Sequence, residues 1–350
     1  MRMLILSGKK ALHERIRAIR PFEKAIKEYI ESRKIYEPIF CYYDTPNKYR
    51  VEPVEKDAEA IREYVSLLEK KVGEFDYLML LGGDEVIPFF RLDNPCDDAD
   101  ENVLSDNPYA SRDDNYILPE RACSRIPDNG SSDFILKQLT KAASRYDNSF
   151  GLTAMVWQKA SENVYRSVGE PDELKCTPPV TRKTFDKAWL QKRDYLYFNV
   201  HGSKISANWY GQDGADYPVA MSPDNVVSAS GIVASESCYG AYIIDKAEDD
   251  AVCIKFLAED GVIGFCGSTT IAYGPVKPPS SEADLVVKYF FEYLQQGHTL
   301  GASLRNAKLD FARKSLRRRG FLDDDDQKTL LQFVLYGDPT LRVRPDQVEA

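Results

Sequence analysis

Tyr195-Leu196-Tyr197-Phe198-Asn199-Val200 runs into His201-Gly202, and Ile232-Val233-Ala234-Ser235-Glu236-Ser237 runs into Cys238-Tyr239-Gly240. Both runs are short and rich in aromatic or β-branched residues, the pattern of strands buried in a parallel sheet. In open α/β sheets, functional groups gather just past the carboxyl ends of the strands. A His at one such end and a Cys at another therefore belong to one edge of the sheet. A thiol is mostly protonated at neutral pH, with a free pKa of ~8.5. An imidazole beside it can take that proton and later return it to a leaving group. The pattern of strand, reactive residue and glycine occurs twice, at His201-Gly202 and at Cys238-Tyr239-Gly240. Gly202 lets a substrate approach its backbone closely. The N–H groups of Gly202 and Cys238 are the expected oxyanion hole.

Around this centre the chain alternates strand and helix. Residues 3–6, 35–43 and 77–81 read as strands, and 22–32 and 55–72 as helices. The second helix has Ala58, Ile61, Val65 and Leu68 on one face. This order implies parallel pairing with right-handed crossovers. Residues 116–126 are expected to return to the sheet. Ser132-Asp133 offers a cap for a helix to about Arg145. A boundary near residues 147–151 divides the chain into 1–148 and 149–350. Beyond it, 152–157 and 262–266 read as strands. Residues 185–192, 251–259, 282–295 and 300–317 read as helices, and 341–343 as a closing strand.

With 350 residues the length suits roughly two units of ~150 each. Hydrophobic residues make up 43%, enough for a sizeable core. The net charge is -9 with no long basic run, which argues against a nucleic-acid surface. No stretch approaches the ~20 apolar residues of a membrane helix, and the N-terminus is too short and polar for a signal peptide. Seven irregularly spaced cysteines argue against a disulfide framework and for a reducing, cytoplasmic setting. Phosphate loops, a GxGxxG turn, a G-x-S-x-G elbow and clustered zinc ligands are all absent from the sequence.

Residues 88–115 form a long irregular stretch carrying Asp93, Asp97, Asp98, Asp100 and Glu101. It reads as a solvated acidic loop, and its oxygen ligands also admit a structural calcium. No other cofactor or metal is expected. Arg317-Arg318-Arg319 followed by Asp323-Asp324-Asp325-Asp326 reads as one solvated loop between helices. His13 and His298 read as structural or solvated.

The segments Phe198-Asn199-Val200-His201-Gly202-Ser203 and Ala234-Ser235-Glu236-Ser237-Cys238-Tyr239-Gly240 resemble the two catalytic motifs of caspase-like cysteine peptidases, most of all the gingipain type. Residues 261–269 and Leu335-Tyr336-Gly337-Asp338-Pro339-Thr340-Leu341 are similar to later strands of that family. So are 77–84, Ser105-Asp106-Asn107-Pro108-Tyr109 and Ser124-Arg125-Ile126-Pro127, so the likeness spans about 75–344. It implies a caspase-like three-layer α/β fold with mostly parallel sheets in two subdomains. It implies a His201–Cys238 dyad, a thioester acyl-enzyme, and endopeptidase cleavage after one side chain held in a pocket. Family members often carry an acid near the His, and Glu162 is the nearest candidate.

A pocket for a basic side chain needs a carboxylate. Glu162, Glu170, Asp172, Glu173, Asp213 and Asp216 are available, and Trp209 and Tyr273 are expected as apolar walls. A pocket for Asp would call on Arg166 or Arg182. Acids outnumber bases here, so cleavage after Arg or Lys is the expectation. The expected partners are protein or peptide substrates and an activating protease or regulatory protein, with latency controlled at 88–115, 171–184 or 317–326. Gingipains carry a signal, a propeptide and trailing domains, none of which shows here; a compact intracellular peptidase is therefore expected. The rival readings are a catalytically silent caspase-like module that binds peptides or partners, and a ligase on the same fold.

Overall fold

The computed structural model of the chain describes residues 1–344. Its elements in order are β1 (Met3–Ser7), α1 (Lys9–Arg15), α2 (Ile19–Ser32), β2 (Ile39–Tyr42), α3 (Ala58–Val72) and β3 (Tyr77–Leu81). A hairpin of β4 (Phe90–Asp93) and β5 (Asn102–Ser105) follows, then α4 (Asn107–Ala110), β6 (Ala122–Ile126) and α5 (Ser132–Thr140). Next come β7 (Ser149–Ala154), α6 (Gln158–Tyr165), β8 (Lys175–Thr177), β9 (Tyr195–Asn199), β10 (His201–Ser203), β11 (Ser206–Tyr210) and β12 (Val219–Met221). The chain ends through β13 (Ser230–Ser235), α7 (Val252–Ala258), β14 (Gly261–Ser268), α8 (Glu282–Gln295), α9 (Leu300–Arg319), α10 (Asp324–Gln332) and β15 (Phe333–Gly337).

Ten strands form one sheet in the order β2-β1-β3-β6-β15-β14-β13-β9-β7-β8. All neighbours are parallel except β14 and β15. Successive residues of a strand face opposite sides of a sheet. Here Tyr195 and Tyr197, Ile232 and Ala234, and Phe333 and Leu335 enter one core with α8 and α9 residues such as Phe290, Phe291 and Leu304. Leu196 and Phe198, Val233, and Val334 and Tyr336 enter another with Ile254, Phe256 and Leu257 of α7. The sheet is thus buried on both faces, which is the three-layer α/β arrangement. It is also unbroken across residue 148. The strand β15, from the end of the chain, sits between β6 of the first half and β14 of the second.

Helix ends follow local chemistry. Asp57 caps α3 by accepting the Ala60 N–H, and Thr299 caps α9 through Ala302. The buried stripe of α3 is Ile61, Tyr64, Val65 and Leu68.

Several expectations shift. Only 39–42 of the 35–43 run is strand, with a 3-10 turn before it. Residues 185–192 hold a single 3-10 turn, Lys187–Leu190, and α5 stops at Thr140. Residues 341–343 form no strand. The 317–326 run is not a solvated loop. Arg317, Arg318 and Arg319 end α9, Gly320 adopts the left-handed turn that closes it, and Asp323 caps α10. Asp326 is fully buried and paired with Arg319. A charge run read without its neighbours looks solvated; here opposite charges fold back on each other.

A candidate active site at the carboxyl edge of the sheet

Strands β9 and β13 are parallel neighbours, registered from Tyr195–Ile232 to Phe198–Ser235. Their carboxyl ends therefore emerge side by side. After Asn199 the chain leaves the main sheet and His201 opens β10, first strand of a small antiparallel sheet with β11 and β12. On the other strand the Glu236 N–H still bonds the Phe198 carbonyl at 2.9 Å, and Cys238 follows in a tight turn. The two motifs meet at their backbones. A Cβ built on Gly202 would lie 2.1 Å from the Cys238 carbonyl oxygen. No side chain fits there, which is the physical reason for glycine after His201.

His201 is half-buried. Its Nε2 lies 2.8 Å from Gln212 Oε1, and the Gln212 amide nitrogen is held by Tyr217 Oη at 2.9 Å and the Gly214 carbonyl at 3.1 Å. That orientation presents the amide oxygen to the ring, so neutral His201 carries its proton on Nε2 and leaves Nδ1 as the basic nitrogen. Trp157 lies against the imidazole with ring centroids 4.4 Å apart, and Tyr217 at 5.2 Å. Burial lowers the His201 pKa below its ordinary value, opposed by the Gln212 bond.

Cys238 is part-buried, and its Sγ–H reaches the Ala272 carbonyl at 3.6 Å. Burial raises its pKa, while contacts with Ala272 and its own backbone N–H pull the other way. In the turn, Tyr239, Gly240 and Ala241 donate to Thr270, Ser237 and Ser268, whereas among the described residues no backbone carbonyl takes the Cys238 N–H. Tyr239 adopts a left-handed conformation with φ 55°. A tyrosine pays strain there, so something must hold it.

The holder is the acidic stretch. Asp100 Oδ1 accepts Tyr239 Oη–H at 2.6 Å, and Oδ2 accepts the Ile271 N–H at 2.8 Å and Lys328 Nζ at 2.7 Å. Asp98 is bound by Lys328 and Tyr273. Burial would raise the Asp98 carboxyl, but the bonds from Lys328, Tyr273 and the Asp100 N–H hold it down at about 2. Lys328 is fully buried. The expectation of a solvated loop is corrected at Asp98 and Asp100. The positive charge between them is supplied by a lysine 228 residues further on. No cluster of metal-ligating side chains occurs among the described residues.

The other candidates scatter. Glu162 lies on α6, accepts from Gln158 on the same helix, and adds to burial in raising the Cys176 thiol; Gln212 is the side chain bonded to His201. Asp172 is exposed on a 3-10 turn, and Glu170 and Glu173 beside it are exposed too. Asp213 and Asp216 are exposed and bridge each other. Arg166 is exposed, and Arg182 pairs with Asp224. Trp209 is not a pocket wall: it is buried against Phe198 at 5.2 Å, with Phe256 and Phe265 beyond. Tyr273 does line a narrow pocket of about 30 Å³ with Trp157, Glu236, Cys238 and Ala283. Trp157 and Glu236 were missed. The available signal for Glu236 was a carboxylate standing inside an otherwise apolar strand, two residues before Cys238.

Comparison with known proteins agrees with this geometry. The profile of peptidase family C25 matches residues 15–344. The complex of pro- and mature domains of Porphyromonas gingivalis RgpB superposes with a TM-score of 0.69, at 14% identity, covering 98% of this chain and 80% of that one. The Arg-specific cysteine proteinase gingipain R (RgpB) gives 0.68 at 15% identity, covering 98% and 78%. A further structure described as a protease gives 0.65 at 13%, covering 98% and 78%. At these identities the structures speak for the fold. No curated protein sequence matches. The family profile covers nearly the whole chain, and the sheet is that of the gingipain fold: the chain belongs to peptidase family C25, a cysteine-type peptidase with a caspase-like architecture.

Proposed function

We propose that the chain is an endopeptidase working through Cys238 and His201, cleaving protein or peptide substrates after a basic residue. The carrying observation is the contact of Gly202 with the Cys238 backbone, which seats the two motifs at one sheet edge. His201 takes the thiol proton as Cys238 Sγ bonds to the scissile carbonyl carbon. The N–H groups of Gly202 and Cys238 stabilise the oxyanion. The C–N bond breaks, His201 gives its proton to the departing amine, and a thioester remains. Water, deprotonated by His201, then releases the acid and restores the thiol. These steps draw on no cofactor. The retention of both reactive residues favours this reading over a silent binding module; transfer of the acyl group to an amine would share the same thioester.

RgpB is known in complex with its pro-domain, which supports control of this chain by an activating protease or a regulatory partner. The seven free cysteines suit the proposed reducing, cytoplasmic setting. No helix among the described residues is long and apolar enough to cross a membrane.

The test is a pair of substitutions assayed on fluorogenic peptides. Cys238→Ala should abolish cleavage with the fold intact, and His201→Ala should cost on the order of 10²–10⁴-fold. Full activity in Cys238→Ala would overturn the assignment.

A further inference from the structure

Lys141, Lys308 and Lys328 are all buried, and their charges are answered unequally. Lys328 sits between Asp98 and Asp100. Lys141 donates at 2.6 Å to the carbonyl of Leu257 in the last turn of α7, where a helix favours a cation. Lys308, on α9, donates at 2.7 Å to Asn107 Oδ1. That oxygen carries no charge. It is fixed toward the lysine, because the Asn107 amide nitrogen donates to the carbonyls of Tyr116 at 2.8 Å and Leu330 at 3.0 Å. Among the described residues Lys308 forms no ion pair. The carboxylate that acts on it, Asp106, is already held at both oxygens by Arg125, at 2.6 and 3.1 Å.

Burial pulls the Lys308 ammonium down to about 8, opposed by Cys266, Cys123 and Asp106. At pH 7 the group therefore still carries its proton. A buried cation without a counter-charge is heavily penalised. Lys308 lines a cavity of about 20 Å³ together with Asn107, Asp106, Arg121, Arg305 and the apolar Leu304. That volume admits one small occupant. Asp106 is cancelled by Arg125, and Arg121 by Glu69. Arg305 donates to the Glu120 carbonyl at 3.3 Å and the Asn306 side-chain oxygen at 3.2 Å, neither of them a carboxylate. Lys308 and Arg305 thus leave the cavity positive. Water could take protons from Lys308 but would not balance its charge; an anion does both.

We propose that this cavity is a binding site for a small monovalent anion of the halide class, chloride above all, with Lys308 and Arg305 as its cationic walls. The ion ties α9 to Asn107, which lies just beyond the β4–β5 hairpin. The base of that hairpin is already fastened to the chain leading into β15, since Ser105 Oγ donates to the Leu331 carbonyl at 2.6 Å. The same hairpin carries Asp98 and Asp100, which hold Lys328 and Tyr239. Occupancy therefore stabilises the fold. The proposal does not depend on the reading of Cys238.

The experiment follows thermal unfolding of the unmodified protein at fixed ionic strength, with sodium chloride or bromide replacing sodium gluconate. The midpoint should rise saturably with halide, by about 2–4 °C once halide exceeds its dissociation constant tenfold. Lys308→Met should abolish the saturable rise. Arg305→Gln, at a partly exposed position, should weaken halide affinity about two- to fivefold, the scale of an exposed ion pair. A rise that never saturates and is matched by sulfate is a bulk salt effect and would overturn the proposal. So would a saturable rise that persists in Lys308→Met.

A second measurement needs no variant. Crystals of the unmodified protein grown in sodium bromide should give a bromine anomalous-diffraction peak beside Lys308 Nζ. A water at that position, with no bromine signal, would sink the proposal.

Discussion

The α-carbon of Gly202 lies so close to Cys238 that a methyl group there would sit 2.1 Å from the Cys238 carbonyl oxygen. That oxygen belongs to backbone and cannot swing aside. Gly202→Ala should therefore separate the two motifs. The expected result is a loss of at least about 10²-fold in kcat/KM, since small misplacements of reacting groups cost that much. Overpacking should destabilise by about 1–3 kcal/mol in thermal or denaturant unfolding. An unaltered kcat/KM would mean the motifs do not act together.

Burial raises the Cys238 thiol and lowers the His201 imidazolium. The resting pair is thus neutral thiol and neutral imidazole around pH 7. Alkylation of Cys238 should keep accelerating above the ordinary thiol midpoint of ~8.5. The acid limb of kcat/KM should fall below ~6.5, the ordinary histidine value. A thiolate already formed at pH 6 would contradict this picture.

Gln212 is a positioning residue for His201 Nε2. Its bond favours the charged ring, so Gln212→Ala should move the acid limb of kcat/KM to still lower pH. It should also reduce kcat more than it changes KM. A purely structural role would lower the amount of folded protein and leave the pH profile in place.

Lys328 neutralises Asp98 and Asp100 in a buried setting. Lys328→Met leaves two carboxylates unpaired and should destabilise the protein by about 3–5 kcal/mol. Asp98 has a folded value of about 2, below the ~3.9 of an unfolded chain. Its contribution is complete above about pH 4 and is lost as pH falls toward 2. That acid-side loss, seen in urea titrations from pH 5 to pH 2, should shrink in the variant. Because Asp100 also holds Tyr239, activity should fall along with stability.

Much of the layout follows from local pattern. The runs at 195–199 and 230–235 are apolar on alternate residues toward both faces, so they had to be doubly buried strands, and a parallel sheet places His201 and Cys238 at one edge. Caps such as Asp57 and Thr299 are likewise readable, because a cap bonds a backbone group only a few residues away. Tertiary structure decided the rest. Lys328 reaches Asp100 across 228 positions, Gln212 reaches His201 from beyond a hairpin turn, and Trp209 turns inward while Trp157 faces the imidazole. It also decided which carboxylates become buried, Glu236 and Asp284 among them, while the more conspicuous acids at 170–173 and 213–216 are exposed. Periodicity and capping are interactions between near neighbours in the chain and leave a local trace. Whether a charge is buried, and what answers it, depends on groups that meet only after folding.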